Sequence, residues 1–189
     1  MNENHQQLCP SPEWAEFLHT EVLPWLAERA ELGPELLEVG PGPGASTEWL
    51  RHRVRRLVVI EIDPAAADRL RDRFAGTNVE VVTGDATDLP FEDGSLDSAA
   101  SFTMLHHVPT EALQDALLAE VARVLRPGGV FIGNDSIPSD DLEAFHEGDT
   151  YNPIDPAGFP ARLRTAGFTD VLVEPRDWKG MAFIARTAP

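Results

Sequence analysis

The stretch Leu37-Glu38-Val39-Gly40-Pro41-Gly42-Pro43-Gly44-Ala45 constrains the fold more than any other part of the chain. An apolar run enters a set of glycines and leaves in what reads as a helix over residues 45–53. Glycine lets the backbone turn sharply and lets a ligand come close without a Cβ in the way. The helix start behind the loop offers free N–H groups to a polar or anionic group. The two prolines stiffen the loop and lower the entropy lost on binding. Gly40, Gly42 and Ala45 also fit the dinucleotide fingerprint G-x-G-x-x-G/A, so the loop alone leaves two ligand classes open.

The rest of the chain continues this alternation. Apolar runs at 36–39, 57–62, 79–82, 96–102 and 130–134 read as strands, and 64–74 and 110–125 as helices. Pro64 suits a first helical turn, and Thr110 an N-cap. Strands separated by helices imply a parallel sheet with right-handed crossovers. Pro127, Gly128 and Gly129 are expected to stop the fifth strand on its near side. The ending differs: a helix at 157–166 closed by Gly167, then strands at 171–173 and 181–185 joined by a turn around Asp177 to Gly180. That hairpin places an antiparallel strand on an otherwise parallel sheet. The expected fold is therefore an α/β, Rossmann-like three-layer sandwich of about seven strands, mostly parallel with the last antiparallel. Upstream, 12–31 reads as an amphipathic helix with Ser11 as N-cap and Pro24 dividing or kinking it.

Length fits a single domain over 1–189, with an N-terminal helical region (1–31), a cofactor-binding core (36–135), a candidate substrate lid (136–160), and a last helix and hairpin (161–189). The lid reading rests on its place after a strand's carboxyl end and on its acidic residues and prolines. A surface connection with a short helix from Ser139 to His146 is the alternative.

Charge narrows the partners. Fifteen Lys plus Arg against 32 Asp plus Glu give a formal charge of -17. Binding phosphates needs a basic surface, so nucleic acid and anionic membranes are poor partners for this chain. The cluster Arg51, Arg53, Arg55 and Arg56 is better read as cations near a helix C-terminus than as an RNA contact. Cys9 is the single cysteine, so no internal disulfide forms, which suits a reducing cytoplasm. The polar start, Met1 to Gln7, has no apolar run of the signal-peptide kind.

Two later segments separate the ligand classes: Gly84-Asp85-Ala86-Thr87-Asp88-Leu89-Pro90-Phe91 and Leu125-Arg126-Pro127-Gly128-Gly129. With the glycine loop, Ile60-Glu61-Ile62-Asp63 and Leu105-His106-His107-Val108 in this order, the sequence resembles the class I S-adenosylmethionine-dependent methyltransferases. The resemblance is to their small-molecule, ubiquinone/menaquinone-methyltransferase-like branch and covers roughly residues 36–133. It implies S-adenosylmethionine as cofactor and a site made by Glu38, Gly40, Pro41, Gly42, Gly44, Glu61, Ile62, Asp85, Ala86 and Phe102. In the family, the positions of Glu38, Gly40, Gly42 and Gly44 surround the methionine part, Glu61 binds both ribose hydroxyls, and Asp85 and Ala86 hold adenine. The residues agree chemically, since a carboxylate accepts from hydroxyl and amino donors. Asp85 has the alternative of capping its own turn.

The segment Ser101-Phe102-Thr103-Met104-Leu105-His106-His107-Val108-Pro109 borders the methyl group in that family. Relatives that hold a divalent metal place carboxylates where this chain has Thr103 and His106, so no metal is expected. The segment also lacks the Asn/Asp-Pro-Pro/Leu-Phe/Tyr motif of nucleic-acid amino methylation. His106 and His107 are the candidate general bases, although an extended segment would turn only one of them into a pocket. His146, Asp149 and Tyr151 fall in the lid region, and His146 reads as a solvated surface histidine. The function expected is methyl transfer from S-adenosylmethionine to a small molecule. The alternatives are an NAD(P)-dependent oxidoreductase and a non-catalytic S-adenosylmethionine-binding protein.

Overall fold

The protein is described here by a computed structural model covering residues 2–177 and 180–189. Met1 lies outside the described residues, as do Trp178 and Lys179 of the expected hairpin turn. A short helix α1 (Glu3–Leu8) begins on the Asn2 cap, whose side chain accepts from His5 N. Sequence patterning gave no sign of it, because Leu8 is its single apolar residue and sets no period.

The expected helix over 12–31 is three pieces: α2 (Pro12–Phe17), a π turn (Leu18–Val22) and α3 (Leu23–Ala27). Pro24 has no N–H to donate, and its ring crowds the carbonyl one turn back. A widened turn just before it, in which Leu23 N reaches Leu18 O, accommodates the ring, so the helix continues instead of breaking.

Seven strands follow: β1 (Glu35–Val39), β2 (Arg56–Glu61), β3 (Val79–Thr83), β4 (Leu96–Phe102), β5 (Leu125–Ser136), β6 (Phe168–Arg176) and β7 (Gly180–Thr187). They form one sheet in the order β3-β2-β1-β4-β5-β7-β6. All pairs among β1 to β5 are parallel, and β7 is antiparallel to both β5 and β6. The fifth strand is longer than expected. Leu125 already pairs with Leu96, a register shift follows, and Val130 pairs with Ser98. Pro127 to Gly129 therefore form a bulge inside the strand instead of a stop before it, with Gly128 at φ 74.

Helices α4 (Ala45–Leu50), α5 (Pro64–Arg73), α6 (Glu111–Val124), α7 (Asp140–Phe145) and α8 (Phe159–Ala166) complete the fold. Alternate residues of the central strands feed two cores. Leu37, Phe131 and Phe183 pack with Leu117, Leu118 and Val121 of α6 and with Phe159 and Leu163 of α8. Leu36, Leu57 and Ile132 pack with Leu18, Leu23 and Leu26 and with Leu50 of α4. No helix among the described residues is long and apolar enough to cross a membrane.

The order reverses between β1 and β4, with the chain winding outward to β2 and β3 on one side and to β5 on the other. Ligands of open α/β sheets bind at the carboxyl ends of the strands at such a switch point. Here the glycine loop leaves β1 and the segment around Thr103 leaves β4.

Candidate functional site

The loop after β1 is built by its glycines. Gly40 and Gly42 have φ of 62° and 54°, the left-handed region that costs a residue with a Cβ. A Cβ on Gly40 would fall 2.3 Å from the Met104 side chain, so the two strand ends are brought together by the missing side chain. A Cβ on Gly42 would meet nothing within 4 Å, because that position faces open space. Gly44 caps α4 and lies against Phe74.

Beneath the loop, Glu38 is 1% exposed and accepts from Ser46 Oγ at 2.5 Å and Thr47 Oγ1 at 2.6 Å. Its carboxylate locks the first turn of α4 onto β1. Burial pushes the carboxyl up to about 7, and the two hydroxyl donors pull the other way.

One cavity of about 1290 Å³ opens at the switch point. Of the residues expected to hold a cofactor, Gly40, Pro41, Gly42, Glu61, Ile62, Asp85, Ala86 and Phe102 line it. Glu38 and Gly44 sit behind the loop. Glu61 ends β2 and accepts from Asp63 N at 3.0 Å, and burial raises its carboxyl above the usual range. Asp63 instead caps α5, its Oδ1 accepting from Ala65 N at 2.8 Å. Ile62 is 68% exposed on the cavity wall, an apolar surface that water leaves readily. Asp85 caps its own turn, accepting from Thr87 N at 2.8 Å, while also facing the cavity.

The other half of the cavity wall comes from β4 onward and from the N-terminus. Thr103 holds φ 51, unusual for a β-branched residue, and its N donates to Asn134 O at 2.8 Å. Asn134 Oδ1 and Ser101 Oγ are buried with no hydrogen-bond partner. The segment after Met104 is not extended: Leu105–His107 is a 3-10 turn. Asp135, fully buried, sets that turn by accepting from Leu105 N at 2.8 Å and from His106 Nδ1 at 2.7 Å. His106 and His107 therefore both face the cavity, against the expectation for an extended segment.

His146 is also buried, 3% exposed, and not a solvated surface group, because α7 folds it against His5 of α1. His5, His106, His107 and His146 form one cluster with ring centroids 4.1–5.4 Å apart. Burial first, then the neighbouring imidazoles, holds His107 down at about 3. Burial and then His146 hold His5 at about 4, opposed by Asp149. Burial lowers His146 too, opposed by the Leu142 carbonyl.

Sequence reasoning missed His5, Asn134 and Asp135. The polar run Asn134-Asp135-Ser136 at the carboxyl end of an apolar strand was the signal for the last two. His5 carried none.

The chain spans less than half the length of the curated relatives it resembles. A fatty-acid O-methyltransferase of Mycolicibacterium smegmatis is 36% identical over 112 residues, covering 58% of this chain and 40% of that protein. A probable ribosomal RNA small subunit methyltransferase A of Methanosarcina mazei is 37% identical over 90 residues, covering 41% and 33%. Among solved structures, a Pyrococcus horikoshii OT3 protein superposes with a TM-score of 0.79 at 20% identity, over 94% of this chain and 93% of that one. A trans-methyltransferase crystallised with SAH superposes with a TM-score of 0.69 at 26% identity, over 86% and 54%. A family profile described as a methyltransferase domain matches residues 37–133, just over half of the chain. On that match, laid over a sheet whose switch point carries the glycine loop, the chain belongs to the class I S-adenosylmethionine-dependent methyltransferases.

Proposed function

We propose that this chain transfers a methyl group from S-adenosylmethionine to an apolar small molecule. The observation that carries the reading is one cavity whose wall includes both Gly40, Gly42, Glu61 and Asp85 and the apolar side chains of Leu8, Trp14, Phe17, Leu113 and Phe145. At about 1290 Å³ it exceeds the roughly 300–1,000 Å³ of a pocket for one small ligand, which leaves room for two.

The cofactor's chemistry is a methyl on a positively charged sulfur, and the charge disappears as the methyl leaves. The protein then contributes chiefly position and exclusion of water. Glu61 accepts from the ribose hydroxyls. Gly40 and Gly42 admit the methionine part against bare backbone, and Ile62 and Asp85 flank the adenine. His106 and His107 face the acceptor.

The aromatic and aliphatic part of the lining suits acceptors of the quinol, sterol or fatty-acyl kind, in keeping with the small-molecule, ubiquinone/menaquinone-methyltransferase-like branch. With a formal charge of -17, a nucleic acid is not the acceptor in this reading.

A thermal-shift panel with S-adenosylmethionine, S-adenosylhomocysteine, NAD and NADP tests the cofactor, because a bound ligand stabilises by about 2.7 kcal/mol at a hundredfold excess over Kd. Labelled methyl transfer to a panel of apolar acceptors tests the reaction. A rise in melting temperature with NAD and none with S-adenosylhomocysteine would overturn the reading in favour of an oxidoreductase. Cofactor binding without transfer to any acceptor would favour a binding protein.

A further inference from the structure

The geometry points to a second site: we propose that His5, His106, His107 and His146 bind one divalent transition-metal ion through four imidazole nitrogens. Each residue offers one ring nitrogen, and the four lie within 4.8 Å of one another. A tetrahedral shell with metal–nitrogen bonds of about 2.0–2.1 Å needs nitrogens about 3.3–3.4 Å apart, which small side-chain rotations supply.

The tautomers favour a metal. His106 Nδ1 meets the Asp135 carboxylate at 2.7 Å, His5 Nδ1 meets Asn2 Oδ1 at 2.9 Å, and His146 Nδ1 meets the Leu142 carbonyl at 2.6 Å. Each of these partners accepts, so each Nδ1 donates, and each Nε2 keeps its lone pair. Three acceptor nitrogens therefore belong to one buried cluster. Among the described residues, no hydrogen bond fixes the ring of His107. The Nε2 of His146 is buried and has no partner at all. A packing cluster of aromatic rings has no use for that orphan atom, whereas a cation does. Histidines oriented through Nδ1 by a carboxylate or carbonyl are the arrangement that tunes metal ligands.

Charge also balances. Asp135 stands behind His106, and Asp149 lies 3.3 Å from His5 Nδ1. Two carboxylates behind four neutral rings offset an ion of charge two. The all-nitrogen donor set selects zinc, nickel, copper or iron over magnesium or calcium, which require oxygen. Thr103 and His106 argued against a carboxylate-held metal, and this donor set is a different one. Two of its members, His5 and His146, lie outside the matched residues 37–133. A four-imidazole shell leaves a tetrahedral ion no vacant position. The ion would thus act as a clamp, tying α1 and α7 to the turn after β4 at the acceptor end of the cavity.

The test is Co²⁺ titrated into the full chain, stripped with chelator and carrying no polyhistidine tag, followed by visible spectroscopy and calorimetry. The expected result is one equivalent bound with the intense bands of four-coordinate cobalt, displaced by Zn²⁺ and untouched by Mg²⁺. His5→Ala and His146→Ala should each weaken binding by tenfold or more, and Asp135→Asn by about 10- to 100-fold. Circular dichroism shows whether each variant is folded. Should a variant unfold, the wild-type spectrum decides alone. Cobalt bands of the pale octahedral kind in the wild type, or unchanged affinity in a folded His5→Ala/His146→Ala double variant, would overturn the proposal. None of these readouts depends on methyl transfer.

Discussion

Single residues at the cavity separate roles that the sequence made look alike. Glu38 and Glu61 both lie near the carboxyl ends of apolar strands, yet one is locked under the loop and the other faces the cavity. Burial holds the folded Glu38 carboxyl at about 7 against an ordinary 4.5, so within that window the folded chain keeps a proton that the unfolded chain has released. Its contribution to stability is whole below 4.5, is lost as pH rises through the window, and is flat above about 7. The loss is at most about 3 kcal/mol. Urea melts at about pH 5 and about pH 8 should show Glu38→Gln losing less stability across the step than the wild type. Equal slopes would mean that Glu38 is not the group responsible. Glu61→Ala should weaken S-adenosylhomocysteine by about 2–4 kcal/mol, as two charge-assisted bonds go. Asp63→Ala should cost about 0.5–2 kcal/mol of stability, since its carboxylate caps α5, and leave affinity nearly unchanged. Calorimetry that ranks the two the other way round would move the ribose site. The glycines and Glu61 were legible because their chemistry is local. Asp135 and His5 were not, because their meaning lies in contacts across 29 residues to His106 and between separate elements.

Among the elements, the segment after β5 divides into two kinds of backbone. Asn152 N donates to His106 O at 2.7 Å, its side chain donates to Val108 O at 3.1 Å, and Gln114 Nε2 donates to Asn152 O at 2.8 Å. By contrast, α7 is six residues long with none buried, and it meets α1 through Asn2 and Asn4, both donating to Phe145 O. Local opening free energy follows such contacts. Hydrogen exchange should therefore find the Asn152 amide protected with or without ligand. In the metal-free chain the amides of α7 should exchange fast alone and slow when cofactor and acceptor are bound. If α7 is as protected as Asn152 without any ligand, it is no lid. Period and caps made most elements readable, including α6 from its Thr110 cap. The π turn before Pro24 and the bulge in β5 were not readable, since both are tertiary answers to a residue that breaks the local rule.

Across the whole molecule, charge is the property that decides partners. The basic cluster is already answered by its own neighbours: Arg51 pairs with Glu48, Arg55 with Glu35 and Arg56 with Glu80, while Arg53 lies over the Trp49 ring. With a formal charge of -17 and no free basic stripe among these arginines, the chain should show no measurable affinity for duplex DNA or structured RNA at physiological salt. Submicromolar, salt-sensitive binding in a fluorescence titration would reopen an RNA acceptor. The strand count and the antiparallel ending were legible from the alternation of elements, but the position of β7 inside the sheet was not. That position sets an order in time. β6 is held in the sheet only through β7, which itself docks on β5. The chain emerges with residues 168–176 first, and they have no neighbouring strand to join until residues 180–187 have arrived and filled the gap. Until then Phe168, destined to stack on Phe131, stays uncovered. In a chain made from its N-terminus the last strand pairs of this sheet are completed only when residues 180–187 are present, and until then the edge of β5 is open to pairing with another strand.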